Sequence, residues 1–195
     1  MKSKGELTKE RILAEATRLV HRKGFEATSI NDLMAVTGLK KGCLYFHFSG
    51  KEALSLAILE KAKADFFASF DSSLAGKTAS DRLSHIFRDT LEQSKKNGLE
   101  AGCIFGNTAL EMSGKNQRLS KFVGEVFAEW IERITEIVKD AQAAGQVRKD
   151  LSAAILAGHI VMSLEGGIMF ARLEKSEKPM KDCITSLRTL LGMKK

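Results

Sequence analysis

Apolar positions recur at helical spacing along nearly the whole chain. Between Glu6 and Lys23, Ile12, Leu13, Ala16, Leu19 and Val20 fall at i, i+1, i+4, i+7 and i+8, one face of a helix. Thr8 is its expected N-cap and Gly24 its left-handed C-cap. Thr28-Ser29 then leads into Ile30, Leu33 and Met34 and stops at Thr37-Gly38, with Asp32 placed three residues after Ser29 as a capping-box acid. A third short segment, Lys40 to Phe46, has Leu44 as its inward anchor, and Leu44, Phe46 and Phe48 are all expected in the core. Two short helices joined by a tight turn containing glycine spell a helix-turn-helix.

A long helix follows from Lys51 to about Ser72, with Leu54, Ile58, Ala62 and Phe66 on one stripe and Ser49 and Glu52 as its capping box. Further helices are expected at about Ser80 to Lys96, Cys103 to Ser113, Arg118 to Ala144, Leu151 to Leu173 and Met180 to Leu191. The Arg118 to Ala144 stretch is the clearest: an apolar stripe from Leu119 to Ala141 runs opposite Glu125, Glu129, Glu132, Glu136 and Lys139. The fold class is therefore all-α, with about nine helices in two groups.

Composition adds exclusions. A single proline, Pro179, among 195 residues argues against a sandwich or barrel with its many tight turns. Cys43, Cys103 and Cys183 are odd in number, far apart and without a C-x-x-C pair, so neither a disulfide framework nor a zinc site is indicated, and a reducing cytoplasm fits. The N-terminus lacks an apolar signal region, and no run is expected to reach the roughly 18 apolar residues of a membrane span. The net charge of +7 is concentrated: residues 1–51 hold ten Lys and Arg against five acids, while the remainder holds 21 against 19. Such asymmetry suits an N-terminal quarter that meets a polyanion, and equally a solvated basic face.

The run Thr37-Gly38-Leu39-Lys40-Lys41-Gly42-Cys43-Leu44-Tyr45-Phe46-His47-Phe48, followed by Lys51-Glu52-Ala53-Leu54, resembles the DNA-binding signature of the tetracycline-repressor (TetR) family of bacterial transcription regulators. Gly24-Phe25 and Thr28 fall in order at the expected spacing, and Glu6 to about Phe66 matches that family's N-terminal domain, leaving 67–195 as a ligand-binding and dimerisation domain. The resemblance implies that the third helix lies in the major groove, with Lys40, Lys41, Gly42 and Cys43 near base edges or flanking phosphates. Tyr45, His47 and Lys51 resemble phosphate clamps, and Thr28 is grouped with these DNA-binding residues. Cys43 is otherwise a small filler. Two departures stand out: Lys40 and Gly50 occupy places where the family often has serine, which leaves helix starts less well capped. Independently of the name, two lysines and a glycine at a helix start suit phosphates and base acceptors, and lysine can donate to guanine O6 and N7.

Beyond Phe66 the resemblance reaches only the helix plan. Phe67, Phe70, Phe87, Phe105, Phe127, Trp130, Met162, Met169 and Phe170 form an aromatic and methionine reservoir that either lines a ligand pocket or is plain core. Asn107, Thr108, Glu111, His159 and Glu165 are candidates to orient a ligand, His159 being alternatively a core histidine. Gly158, Gly166 and Gly167 each cost about 1 kcal/mol in a helix, so another helix or a ligand should approach there. The resemblance implies that the last two helices, including Ile184, Leu187, Leu190 and Leu191, pair with their copies across a two-fold axis. Cys103 opens a helix, where N–H groups favour a thiolate, so it is a possible redox or electrophile sensor or else a small buried residue.

The expected function is a ligand-responsive DNA-binding regulator, a repressor released from a palindromic operator by a small apolar or electrophilic effector. It is not expected to be an enzyme, and no cofactor or metal is expected. The alternatives are a small helical enzyme using Cys103 and His159, and a helical protein-interaction adaptor.

Overall fold

The computed structural model describes residues 3–193, and its described residues form nine α-helices with no strand. They are α1 Lys4–Lys23, α2 Ile30–Thr37, α3 Lys41–His47, α4 Lys51–Ser72, α5 Ala79–Lys96, α6 Ile104–Met112, α7 Gln117–Ala143, α8 Ala153–Glu174 and α9 Lys178–Leu191. Contacts divide the chain into two units. The first runs to Phe67 and includes Ile104–Val123, and the second comprises Ala68–Cys103 and the residues from Gly124 onward. The segment Ile104–Val123, which the sequence assigned to the C-terminal domain, thus packs with the N-terminal helices.

In the first unit, α1 packs on α2 and α6, and α2 on α3. Ile12, Ala16, Leu19 and Val20 from α1 are buried, as are Phe25, Leu33, Leu44, Phe48, Leu54, Ile58 and Leu59. The cap of α1 is Ser3, not Thr8: Ser3 Oγ accepts from the Glu6 amide and Glu6 accepts from the Ser3 amide, while Thr8 Oγ1 donates to the Lys4 carbonyl one turn back. Helix α2 starts as expected, with reciprocal Ser29 and Asp32 bonds, and ends at Gly38 in the left-handed conformation (φ 68°). Gly24 has φ 84° and ψ 169°, so it closes α1 with positive φ but outside the left-handed helical region.

In the second unit, α5 packs against α8 and α9, and α8 lies along α9. Arg82 bonds Asp140 at 2.8 Å, and Arg133 bonds both Glu129 and Asp71, fastening α5 and the end of α4 to α7. The turn after α7 is tied to the end of α9 by the Arg148 amide donating to the Leu191 carbonyl at 2.8 Å. Helix α8 corrects one expectation: its 22 residues are long and apolar enough to cross a membrane by composition. Its apolarity extends around the helix because one side is core (Leu156, Ala157, Ile160, Val161, Leu164, Ala171) and another is exposed (Ile155, Met162, Met169, Phe170, Leu173). Gly167 explains one of the three α8 glycines: a Cβ there would lie 2.7 Å from Met180 Sδ, so α9 approaches at that point. Gly158 and Gly166 meet no side chain within 4 Å.

Candidate functional site

The turn that presents α3 is built from local chemistry. The Asp32 carboxylate is held well below the usual range, first by the Ser29 hydroxyl at 2.6 Å, then by Lys23 at 2.9 Å and the Ser29 amide. This pairing links the end of α1 to the first turn of α2. Lys40 is the N-cap of α3, and its side chain makes no cap bond, as its replacement of serine led one to expect. Of the seven residues of α3, Leu44 is the buried anchor.

Lys40, Lys41, Gly42, Tyr45 and Lys51 are exposed, and Cys43 and His47 are half-buried. Lys41 Nζ sits 5.8 Å from the Tyr45 ring centroid, an i,i+4 cation–π pair on the helix surface. Two expected placements fail. Thr28 is 2% exposed, and its hydroxyl donates to the Gly24 carbonyl at 2.6 Å. It therefore holds the α1–α2 turn, and its side chain does not face outward. Phe46, expected in the core, is 84% exposed. At 100° per residue, Phe46 and Leu44 point 200° apart, so only one of them can face inward.

Glu111 on α6 also departs from its expected role. Its Oε2 accepts from the amides of Phe25 at 2.7 Å and Glu26 at 3.2 Å, directly after α1. A Cβ on Gly24 would lie 1.8 Å from Glu111 Oε1, so the glycine is needed for this approach. Lys115 reinforces the junction through Glu26 at 2.6 Å. Glu111 is thus a brace between α6 and the α1–α2 turn, and sequence gave no sign of it because the partners are backbone amides some 85 residues away.

The expected ligand residues fall into three groups. Phe67 and Phe105 are buried in the first unit, where Phe66 packs edge-on against both. Phe70 and Trp130 are buried in the second unit, and half-buried Phe127 stacks on Trp130 at 6.3 Å. His159, Met162 and Met169 lie on the exposed face of α8, not around a buried cavity in this chain. Of the other polar candidates, Thr108 is buried with its hydroxyl bonded to the Ile104 carbonyl, and Asn107 is half-buried on α6.

Glu165 is different. Burial pushes its carboxyl up to about 6 against the opposing effect of a hydrogen bond from the Cys103 thiol. Its Oε1 is buried with no hydrogen-bond partner among the described residues. Cys103 follows Gly102 (φ 73°) and directly precedes α6, as expected, and its thiol donates to the Glu165 carboxyl.

Comparisons with known proteins agree with this architecture. The family described as "Bacterial regulatory proteins, tetR family" matches residues 12–58, and "Tetracyclin repressor-like, C-terminal domain" matches residues 79–187. The crystal structure of a TetR transcriptional regulator from Chloroflexus aurantiacus J-10-FL is 35% identical with a TM-score of 0.89, covering 97% of this chain and 96% of that one. The transcriptional repressor DhaR of Mycobacterium sp. (strain GP1) is 23% identical over 91% of this chain and 88% of its own length. The repressor ComR of Escherichia coli K12 is 27% identical over 90% and 85%. With both halves matched in order, the chain belongs to the TetR family of bacterial DNA-binding transcriptional regulators.

Proposed function

We propose that the protein is a homodimeric, cytoplasmic repressor that binds a palindromic operator through α3 of each copy and leaves it when a small effector binds. The observation that carries this reading is the outward face of α3, where Lys40, Lys41 and Tyr45 are all exposed beside the exposed Lys51 at the start of α4. Cations and a phenol at a helix-turn-helix surface suit phosphates, and the lysines can also donate to guanine. Selection of bound duplexes from a random pool tests it. Recovery of a palindrome with half-sites about one helical turn or a multiple apart is the expected result. Failure to enrich any duplex would refute the reading.

A second copy is supported by the α8 face that bears Ile155, Met162, Met169, Phe170 and Leu173, continued by Leu190 on α9. The open Gly158 and Gly166 sit on that same helix, where a partner helix can come close. Leu187 and Leu191, also counted toward the pairing, are each 1% exposed within a single chain and belong to its own core. His159, Met162 and Met169 are accordingly assigned to the dimer face and not to the effector.

For the effector, Glu165 and the stacked Phe127 and Trp130 rings, all in the second unit, are the proposed contacts. The Cys103 thiol donating to Glu165 favours a reversibly bound apolar molecule over covalent capture of an electrophile. A Cys103→Ser variant should then release DNA on effector addition as the parent does. Rapid, selective maleimide labelling of Cys103 coupled to DNA release would reverse that preference. The same contact leaves the enzyme alternative unsupported, since the carboxyl beside Cys103 belongs to Glu165 and His159 is exposed on α8.

A further inference from the structure

Phe46 is the most exposed of the large apolar side chains described, and it stands on the helix that carries the basic face. Phe46 follows Gly42 by one helical turn, so the two positions lie on the same side of α3. A Cβ on Gly42 would meet nothing within 4 Å, so the backbone on that side of the helix is open to close approach. Two neighbouring i,i+4 pairs therefore share the outer surface of α3: Lys41 with Tyr45, which is charged and hydrogen-bonding, and Gly42 with Phe46, which is neither. The Phe46 ring is also braced. It meets the His47 ring edge-on at 5.2 Å, and His47 in turn contacts the buried Phe48 ring at 6.5 Å.

Phenylalanine has no donor for a phosphate oxygen and none for a base acceptor, so it adds nothing to the electrostatic attraction of the basic face. The one apolar feature that the major groove offers at its floor is the 5-methyl group of thymine. We infer that Phe46 reads a thymine 5-methyl group by apolar contact, a specificity-determining residue at a base step adjoining that faced by Lys41. The inference rests on the DNA-reading role of α3 proposed above and adds to it one base identity per half-site.

The test begins with the duplex selected by this protein from a random pool. Each thymine is then replaced singly by uracil, which removes the methyl and leaves every hydrogen-bonding group in place. The intact protein should lose about fourfold in affinity at one position of each half-site, the worth of one buried methyl-sized group. Phe46→Ala should bind thymine and uracil duplexes equally at that position, whereas Phe46→Leu should keep most of the preference. Because the ring is exposed, the variants should melt with the parent, and circular dichroism checks this. Overturning results are equal affinity of the parent for all uracil duplexes, an unchanged thymine preference in Phe46→Ala, or a loss in that variant that is equal on operator and scrambled DNA. Failure to select any duplex would instead refute the DNA-reading role itself.

Discussion

Helices α3 and α8 both expose residues that a monomer does not need, but of opposite kinds. The outer face of α3 shows Lys41, Tyr45 and Phe46 on a helix of only seven residues, with Lys40 at its N-cap, held by a single buried leucine and by the Ser29–Asp32 cap and the Lys23–Asp32 ion pair that precede it. Helix α8 shows methionine, isoleucine, leucine and phenylalanine over 22 residues, with its other side sunk in the core of the second unit. A polar face in water is stable alone and waits for a ligand of opposite charge, whereas an apolar face of this length is stable only when covered. Under the proposed function, α3 is the surface for transient, salt-dependent contact and α8 the one for permanent pairing.

The sharpest way to break this contrast is to place a charge on the apolar face. Met169→Glu should give monomers, because two copies of an unpaired carboxylate would be buried against each other at a cost of about 3–5 kcal/mol, and operator affinity should fall by two orders of magnitude or more. Sedimentation and operator titration measure both effects. A persistent dimer would place the interface elsewhere. Leu187→Glu makes the control, since Leu187 is core: that variant should lose its helical signal on mild heating, not merely dissociate.

Next in size is the brace behind the basic face. Glu111→Ala leaves the Phe25 and Glu26 amides without their acceptor, which should destabilise the protein by about 1–3 kcal/mol in urea unfolding. Gly24→Ala should cost at least as much, because it combines a positive φ with a collision against the same carboxylate. An unaffected Gly24→Ala would mean that Glu111 swings aside freely.

Glu165 should show its burial in the pH dependence. Its carboxyl is raised from 4.5 to about 6, so the folded state binds the proton more tightly than the unfolded chain. That contribution is fully present below about pH 4.5 and is lost as pH rises through about 6, a change of about 2 kcal/mol at most. Glu165→Gln should flatten the fall in stability between those two values. A parent and variant with parallel curves would show that the carboxyl is solvated. The smallest effect belongs to the exposed side: Lys51→Ala should lower the salt slope of DNA binding by about one and weaken all sequences alike. An unchanged slope would remove Lys51 from the phosphates.

Legibility followed range in the chain. The Ser29 and Asp32 box, the Gly38 stop and the uncapped Lys40 are interactions within three or four residues, and their spacing in the sequence is their geometry. Thr28 was misread because a threonine between two helices can equally face a phosphate or bond the carbonyl four residues back, and only the fold shows the second. Phe46 was misread because the alternate apolar residues Leu44, Phe46 and Phe48 were all expected inside, although the helix turns 100° at each step. The exposure of Met162 and Met169 and the burial of Leu187 were not legible for a related reason: an apolar residue on a helix with two apolar sides does not announce which side it takes.

The sequence by itself determined the helical class, the helix-turn-helix and the basic character of the N-terminal quarter, because periodicity, caps and charge are local properties that need no partner. The tertiary structure alone decided that Glu111 closes on the Phe25 and Glu26 amides, that Cys103 meets Glu165, and which side of α8 is left uncovered. Each of those depends on residues tens of positions apart meeting in space, and the free energy that brings them together resides in the packing of whole helices, not in any short run of residues.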